Sequence, residues 1–184
     1  MKKFKGIFRH WLPLALIICA FCGLTYLVAQ QMLRIGANDP QIQLAEDTAA
    51  AWAKGTSPTT NAFPPVEIST SLSPFLMAFD PTGNIVVSSG MLHGQKPTLP
   101  AGILDYAAAH GEDRISWQPE PGVRVATVIV PVDGGKTGYV LIGRSLREVE
   151  NRINQLGLLV GGTLVITLIA SLVVVILVEI ILPG

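Results

Sequence analysis

Four residues could in principle ligate a metal ion from neighbouring positions: His93, His110, Glu112 and Asp113. Their spacing matches no standard ligand pattern, so they read as a solvated loop histidine and a polar turn at a helix end. Stronger catalytic signatures are missing. There is no HExxH, no Gly-rich phosphate loop and no nucleophile elbow. The one Cys-x-x-Cys, Cys19 with Cys22, falls inside an apolar run, where both are expected to pack as small apolar side chains in helix or lipid. The chain is not expected to be an enzyme, and no catalytic residue, metal or cofactor is assigned.

That apolar run is one of two. Residues 11–33 and 156–178 each hold 23 residues without a charge. About 20 apolar residues in helix cross a bilayer core, so both runs are expected to span. Lys2, Lys3, Lys5 and Arg9 precede the first, and the positive-inside rule keeps such a segment in the cytoplasm. The expected organisation is a basic cytoplasmic N-terminus over 1–10, a first transmembrane helix over 11–33, an extracytoplasmic domain over 34–155, a second transmembrane helix over 156–178 and a short cytoplasmic tail over 179–184. The competing reading makes the first run a cleaved signal peptide. Leu27-Val28-Ala29 is a poor cleavage site because Leu27 is large, and the run is long for an h-region. Neither cysteine has the small residue before it that a lipoprotein signal requires. Residues 30–155 carry nine Lys/Arg and twelve Asp/Glu, a net charge of −3. A weakly acidic segment gives no reason to expect nucleic-acid binding. Its length suits one compact domain.

Within that domain, Asp39 and Pro40 suit the start of a helix. Ile42, Ala45, Ala49 and Trp52 recur at helical spacing, and Gly55 ends the pattern. A Ser/Thr/Pro-rich connector covers 56–65. Strands are expected at 75–79 and 85–88, joined by the turn Asp80-Pro81-Thr82-Gly83-Asn84. Residues 89–100 read as loop and 100–110 as a short helix ending at Gly111. Further strands are expected at 114–117, 123–130 and 138–143. Such spacing suits a small antiparallel sheet of about five strands. Ser145-Leu146-Arg147-Glu148 fits a capping box opening the last helix. Leu146, Val149, Ile153 and 156 then continue at helical spacing, a seam that could pack on a partner helix.

Three stretches together are similar to the extracytoplasmic sensor regions of bacterial two-component histidine kinases. They are Gly36-Ala37-Asn38-Asp39-Pro40-Gln41-Ile42-Gln43-Leu44-Ala45, Phe79-Asp80-Pro81-Thr82-Gly83-Asn84-Ile85-Val86-Val87-Ser88-Ser89, and Gly138-Tyr139-Val140-Leu141-Ile142-Gly143-Arg144-Ser145-Leu146-Arg147-Glu148-Val149-Glu150. The resemblance covers roughly 32–154. It implies an α+β fold: a PAS-like five-stranded antiparallel sheet of the PDC or Cache type, with a long N-terminal helix and two flanking transmembrane helices. It also implies the bacterial cytoplasmic membrane, with both termini cytoplasmic. Sheets of this kind often bind small molecules between the concave face and the long crossing loops. Here those loops hold His93 and Tyr106, with Trp117 and Arg124 on the facing strands. Arg124 could pair with a carboxylate ligand and Trp117 could wall an apolar or cationic one. Core packing for Trp117 and an outward-facing charge for Arg124 are the plainer readings. Val123, Val125, Thr127 and Ile129 share one strand face, which puts Arg124 on the other with Ala126 and Val128.

Sensor kinases continue into HAMP or PAS modules and an ATP-binding domain. No such module is expected in this chain: of its three histidines His10 falls in the expected cytoplasmic N-terminus with no ATP site adjoining it, and His93 and His110 fall in the expected extracytoplasmic domain. Gly157 and Gly161 form a GxxxG pair on the second span, a spacing that lets helices approach closely. The expected function is a sensor-like accessory in signal transduction, passing a change laterally to a membrane partner such as a histidine kinase. The alternative is a non-catalytic structural or assembly protein of the cell envelope. Expected partners are the lipid bilayer, a second copy or a membrane signalling protein, and a small-molecule ligand.

Overall fold

The computed structural model describes residues 2–37 and 39–181. Asn38, at the expected start of the second helix, and residues 182–184 of the expected tail lie outside them. The chain divides into two compact units: Arg34–Glu150, and the two chain ends, Met1–Leu33 with Asn151–Gly184.

In the first unit α2 (Asp39–Ala53) buries Gln41, Ala45 and Ala49. The small alanines let the helix lie close to the sheet, with Ile42 and Trp52 packed partly buried beside them. The sheet takes β2 (Phe75–Phe79), β3 (Ile85–Ser88), β5 (Asp113–Glu120), β6 (Val123–Val132) and β7 (Gly138–Ser145), in the order β3-β2-β7-β6-β5. Every neighbouring pair is antiparallel. This is an α+β fold with a long N-terminal helix and a five-stranded antiparallel sheet, consistent with a PAS-like topology.

Period-two alternation gives the sheet two covered faces. On one, Leu76, Val128, Val132, Val140 and Ile142 pack with Ala45 and Ala49 of α2. On the other, Phe75, Met77, Phe79, Trp117, Val125, Ile129 and Leu141 cluster with Ala107 of α3 (Ile103–His110). α3 starts three residues later than 100, after Gly102 at φ 83°, and ends at Gly111 at the same φ. The 89–100 stretch, expected as loop, contributes a further strand, β4 (Gly90–Met91), which pairs in parallel with β1 (Val66–Glu67).

The β2–β3 turn is built around Asp80. Its carboxylate accepts hydrogen bonds from the Thr82 hydroxyl at 2.6 Å and the main-chain N–H groups of Thr82 and Asn84, both at 2.9 Å. The Thr82 hydroxyl first, and then Asn84, hold its pKa down at about 2. A carboxyl with a depressed folded pKa contributes stability above its ordinary value of 3.8, and that contribution is lost as pH falls through about 2. Asp80→Asn should therefore lower the urea midpoint at neutral pH, and the difference from wild type should close below about pH 4. A difference that persists unchanged to about pH 2 would reject this account.

α4 (Arg147–Ile181) follows β7 with Leu146 alone between them. The helix opens one residue later than the expected cap at Ser145 would place it. Leu146 C=O accepts the Glu150 N–H at 2.9 Å, so Leu146 is the cap residue, and the Ser145 hydroxyl accepts the Arg147 N–H at 3.3 Å.

The second unit holds most of α1 (Lys2–Ile35) and of α4. Both helices are long and apolar enough to cross a membrane. Their large apolar side chains are uncovered: Phe21 is 71% exposed and Leu158 78%. A core helix of a water-soluble domain would bury that surface.

Candidate functional site

A cleft of about 360 Å³ opens at the turn end of the α3-covered face. Phe79 and Tyr139 from the sheet, with Ile85, Leu99 and Leu104, give it an apolar floor, and Thr82, Thr98 and Asp105 supply its polar groups. Such a lining suits a small molecule with an apolar body and a hydroxyl or cationic group. A carboxylate would meet Asp105 there. Sequence reasoning missed this cleft because its walls come from a turn, a loop and a helix start that are far apart along the chain.

None of the four expected ligand residues lines that cleft. Trp117 is 4% exposed and belongs to the core cluster against α3. Arg124 lies on the β6 face opposite Val125, as the strand parity requires, and its Nη1 donates to Glu150 Oε1 at 2.6 Å. Tyr106 is half exposed on α3 and stacks on His110, with ring centroids 4.0 Å apart. His93 sits in the turn after β4, its Nε2 2.8 Å from Glu120 Oε2. His93 and Arg124 are linked indirectly, through opposite strands of the β5–β6 hairpin that carries Glu120 and Trp117. Glu112 is engaged by the Arg114 guanidinium, and among the described residues no group of three or more His, Cys, Asp or Glu is placed to hold a metal.

The start of α4 is tied to the domain surface at several points. Besides the Arg124–Glu150 pair, Leu146 N–H donates to Arg124 O at 2.8 Å. Arg144 Nε donates to Leu72 O at 3.0 Å and Arg147 Nη2 to Thr70 O at 2.6 Å. These arginines bind carbonyls of the 69–74 segment and so fix the first turn of the helix to the sheet. Charged groups bonding main-chain oxygen give stronger hydrogen bonds than neutral donors.

The expected helix-interface residues separate. Leu146 and Val149 are half-buried beside the sheet, and Ile153 is 9% exposed. A Cβ at Gly157 would lie 3.6 Å from the Tyr26 ring of α1, whereas one at Gly161 or Gly162 would meet nothing within 4 Å. Within this chain, Gly157 of the pair is the one that lies near α1 among the described residues. α1 and α4 touch further along as well. Trp11 Nε1 donates to Ser171 Oγ at 3.0 Å, and His10 Nε2 lies 3.8 Å from Glu179 Oε1.

Comparison with known proteins gives no relative: no protein-family model, no curated protein and no solved structure matches the chain.

Proposed function

We propose that this chain is a membrane-anchored, extracytoplasmic sensor-like module that acts as a signalling accessory to a separate membrane protein, such as a histidine kinase of the two-component type. The observation that carries the reading is the passage from β7 to α4 through Leu146 alone. A strand at the centre of a PAS-like sheet thus feeds a helix that continues for 35 residues into an apolar stretch. A shift in the sheet has a direct mechanical route to that stretch, and a two-state change of helix packing suffices as output.

The two charge-free runs support the membrane assignment jointly. The Trp11–Ser171 hydrogen bond, and the Tyr26 ring lying within reach of a side chain placed at Gly157, set the runs side by side in opposite directions. At 1.5 Å per residue a run of 23 residues is about 34 Å long, close to the thickness of a bilayer core. His10 and Glu179, the charged or titratable groups just beyond the runs, come together at one end. With the basic residues before Trp11, this favours both chain ends in the cytoplasm and the sheet outside.

A photo-crosslinker at Asn154 in native membranes tests the proposal. A discrete adduct with a different membrane protein supports it. Adducts with lipid or with a second copy alone would reject the accessory role and favour a structural envelope protein.

A further inference from the structure

The turn after β4 is pinned at its tip. Leu92 and Gln95 exchange main-chain hydrogen bonds of 2.7 and 3.0 Å around His93-Gly94. Both central residues have positive φ, 52° and 75°, which fits the mirror-type turn of a two-residue loop. Histidine is among the side chains that tolerate this conformation. The His93 N–H donates to Glu67 Oε1 of β1 at 3.2 Å, while its imidazole reaches Glu120 at the end of β5. Glu67 and Glu120 are the charged groups that act on this imidazole among the described residues. Both are carboxylates, so both attract its protonated form.

Glu120 and Arg124 lie on the two strands of one hairpin, joined through Pro121 and Gly122. Arg124 in turn holds α4 twice, by its side chain to Glu150 and by its carbonyl to Leu146. One hairpin end therefore carries the β4 turn on one strand and the first turn of α4 on the other.

We propose that the proton is a signal read by this module: His93 closes a proton-responsive clasp between the β4 turn and the end of β5, and Arg124 with Glu150 relays its state to α4. This rests on the reading of the chain as a sensor module and names its stimulus. Histidine is the side chain whose charge changes between about pH 5 and 8. The hydrogen bond to Glu120 first, then the charges of Glu120 and Glu67, raise its pKa above the ordinary 6.5. The clasp is therefore fully charged below 6.5 and loses its contribution as pH rises through that higher folded value. Both side chains are solvent-accessible, 68% for His93 and 30% for Glu120. Exposed pairs are weak, which suits a reversible contact.

The test uses the full chain in lipid nanodiscs. Imidazole NMR should show His93 titrating above 6.5 in wild type and returning toward the ordinary value in Glu120→Gln. Hydrogen exchange, corrected for its intrinsic pH dependence, should show the amides of Leu146 and Glu150 better protected at about pH 5.5 than at about pH 8.5. That difference should be lost in Glu120→Gln and in His93→Asn, which keeps the left-handed turn without the titration. An ordinary His93 titration in wild type, or the same pH difference in both variants, overturns the proposal. A partner crosslinked from Asn154 alongside pH-independent α4 amides would overturn the clasp and leave the accessory role standing.

Discussion

Gly138→Ala should cost the sheet domain about 3–5 kcal/mol, through backbone strain and overpacking together. Gly138 opens β7 at φ 145°, a conformation that L side chains rarely adopt. An added Cβ would collide with the Phe79 carbonyl oxygen and lie 2.8 Å from the Trp52 ring. Phe79 is paired with Tyr139, the next residue of the strand, so the carbonyl cannot retreat without opening the β2–β7 ladder. Trp52 is the last large residue of α2 and packs on the same sheet face, so the helix is pushed from the sheet as well. Domains of this size are stable by only about 5–15 kcal/mol. Urea unfolding of the full chain in detergent, followed by tryptophan fluorescence, measures the loss. A change below about 1 kcal/mol would show that β7 can start in another conformation.

Trp117→Ala should be of similar size, about 3–5 kcal/mol, whatever ligand is present. The indole is 4% exposed among Val125, Ile129 and Ala107 of the core cluster. Its removal leaves a cavity bounded by β5, β6 and α3, and the edge strand β5 has no second neighbour to hold it. Trp117→Phe keeps most of the volume and should cost less than about 1.5 kcal/mol. The two variants separate a packing role from a recognition role. A ligand wall would leave the unfolding midpoint of Trp117→Ala near that of wild type, which would contradict the core assignment.

The contrast between Trp117 and the strand around it shows what the sequence could convey. Strand β6 was legible because it is an almost continuous run of apolar, mostly β-branched residues bounded by the turn residues Glu120-Pro121-Gly122 and Asp133-Gly134-Gly135, and Asp80–Asn84 was legible because turn chemistry is local. Residues 75–79 and 85–88 coincide with β2 and β3 for that reason. Whether Trp117 faces a cavity or a core depends on α3, which reaches it from a separate segment, and no local pattern records that. The β1–β4 ladder was hidden because each strand has only two residues, too few to express a period. His93 and Glu120 are 27 positions apart, and each alone resembles an ordinary surface residue. Arg124 was placed on its correct strand face by parity, but its partner Glu150 comes from the following helix. Local residue types and periods thus specified elements, while the site depends on contacts between them.

The β1–β4 ladder also orders events in time. Its partners, Val66 with Gly90 and Glu67 with Met91, are separated by the whole β2–β3 hairpin. Until that hairpin closes, bringing the two strands together requires closing a long loop for only two paired positions. The ladder should therefore be late in folding and early in local opening. The His93 turn follows directly on it, so the last segment to settle is also the first free to respond.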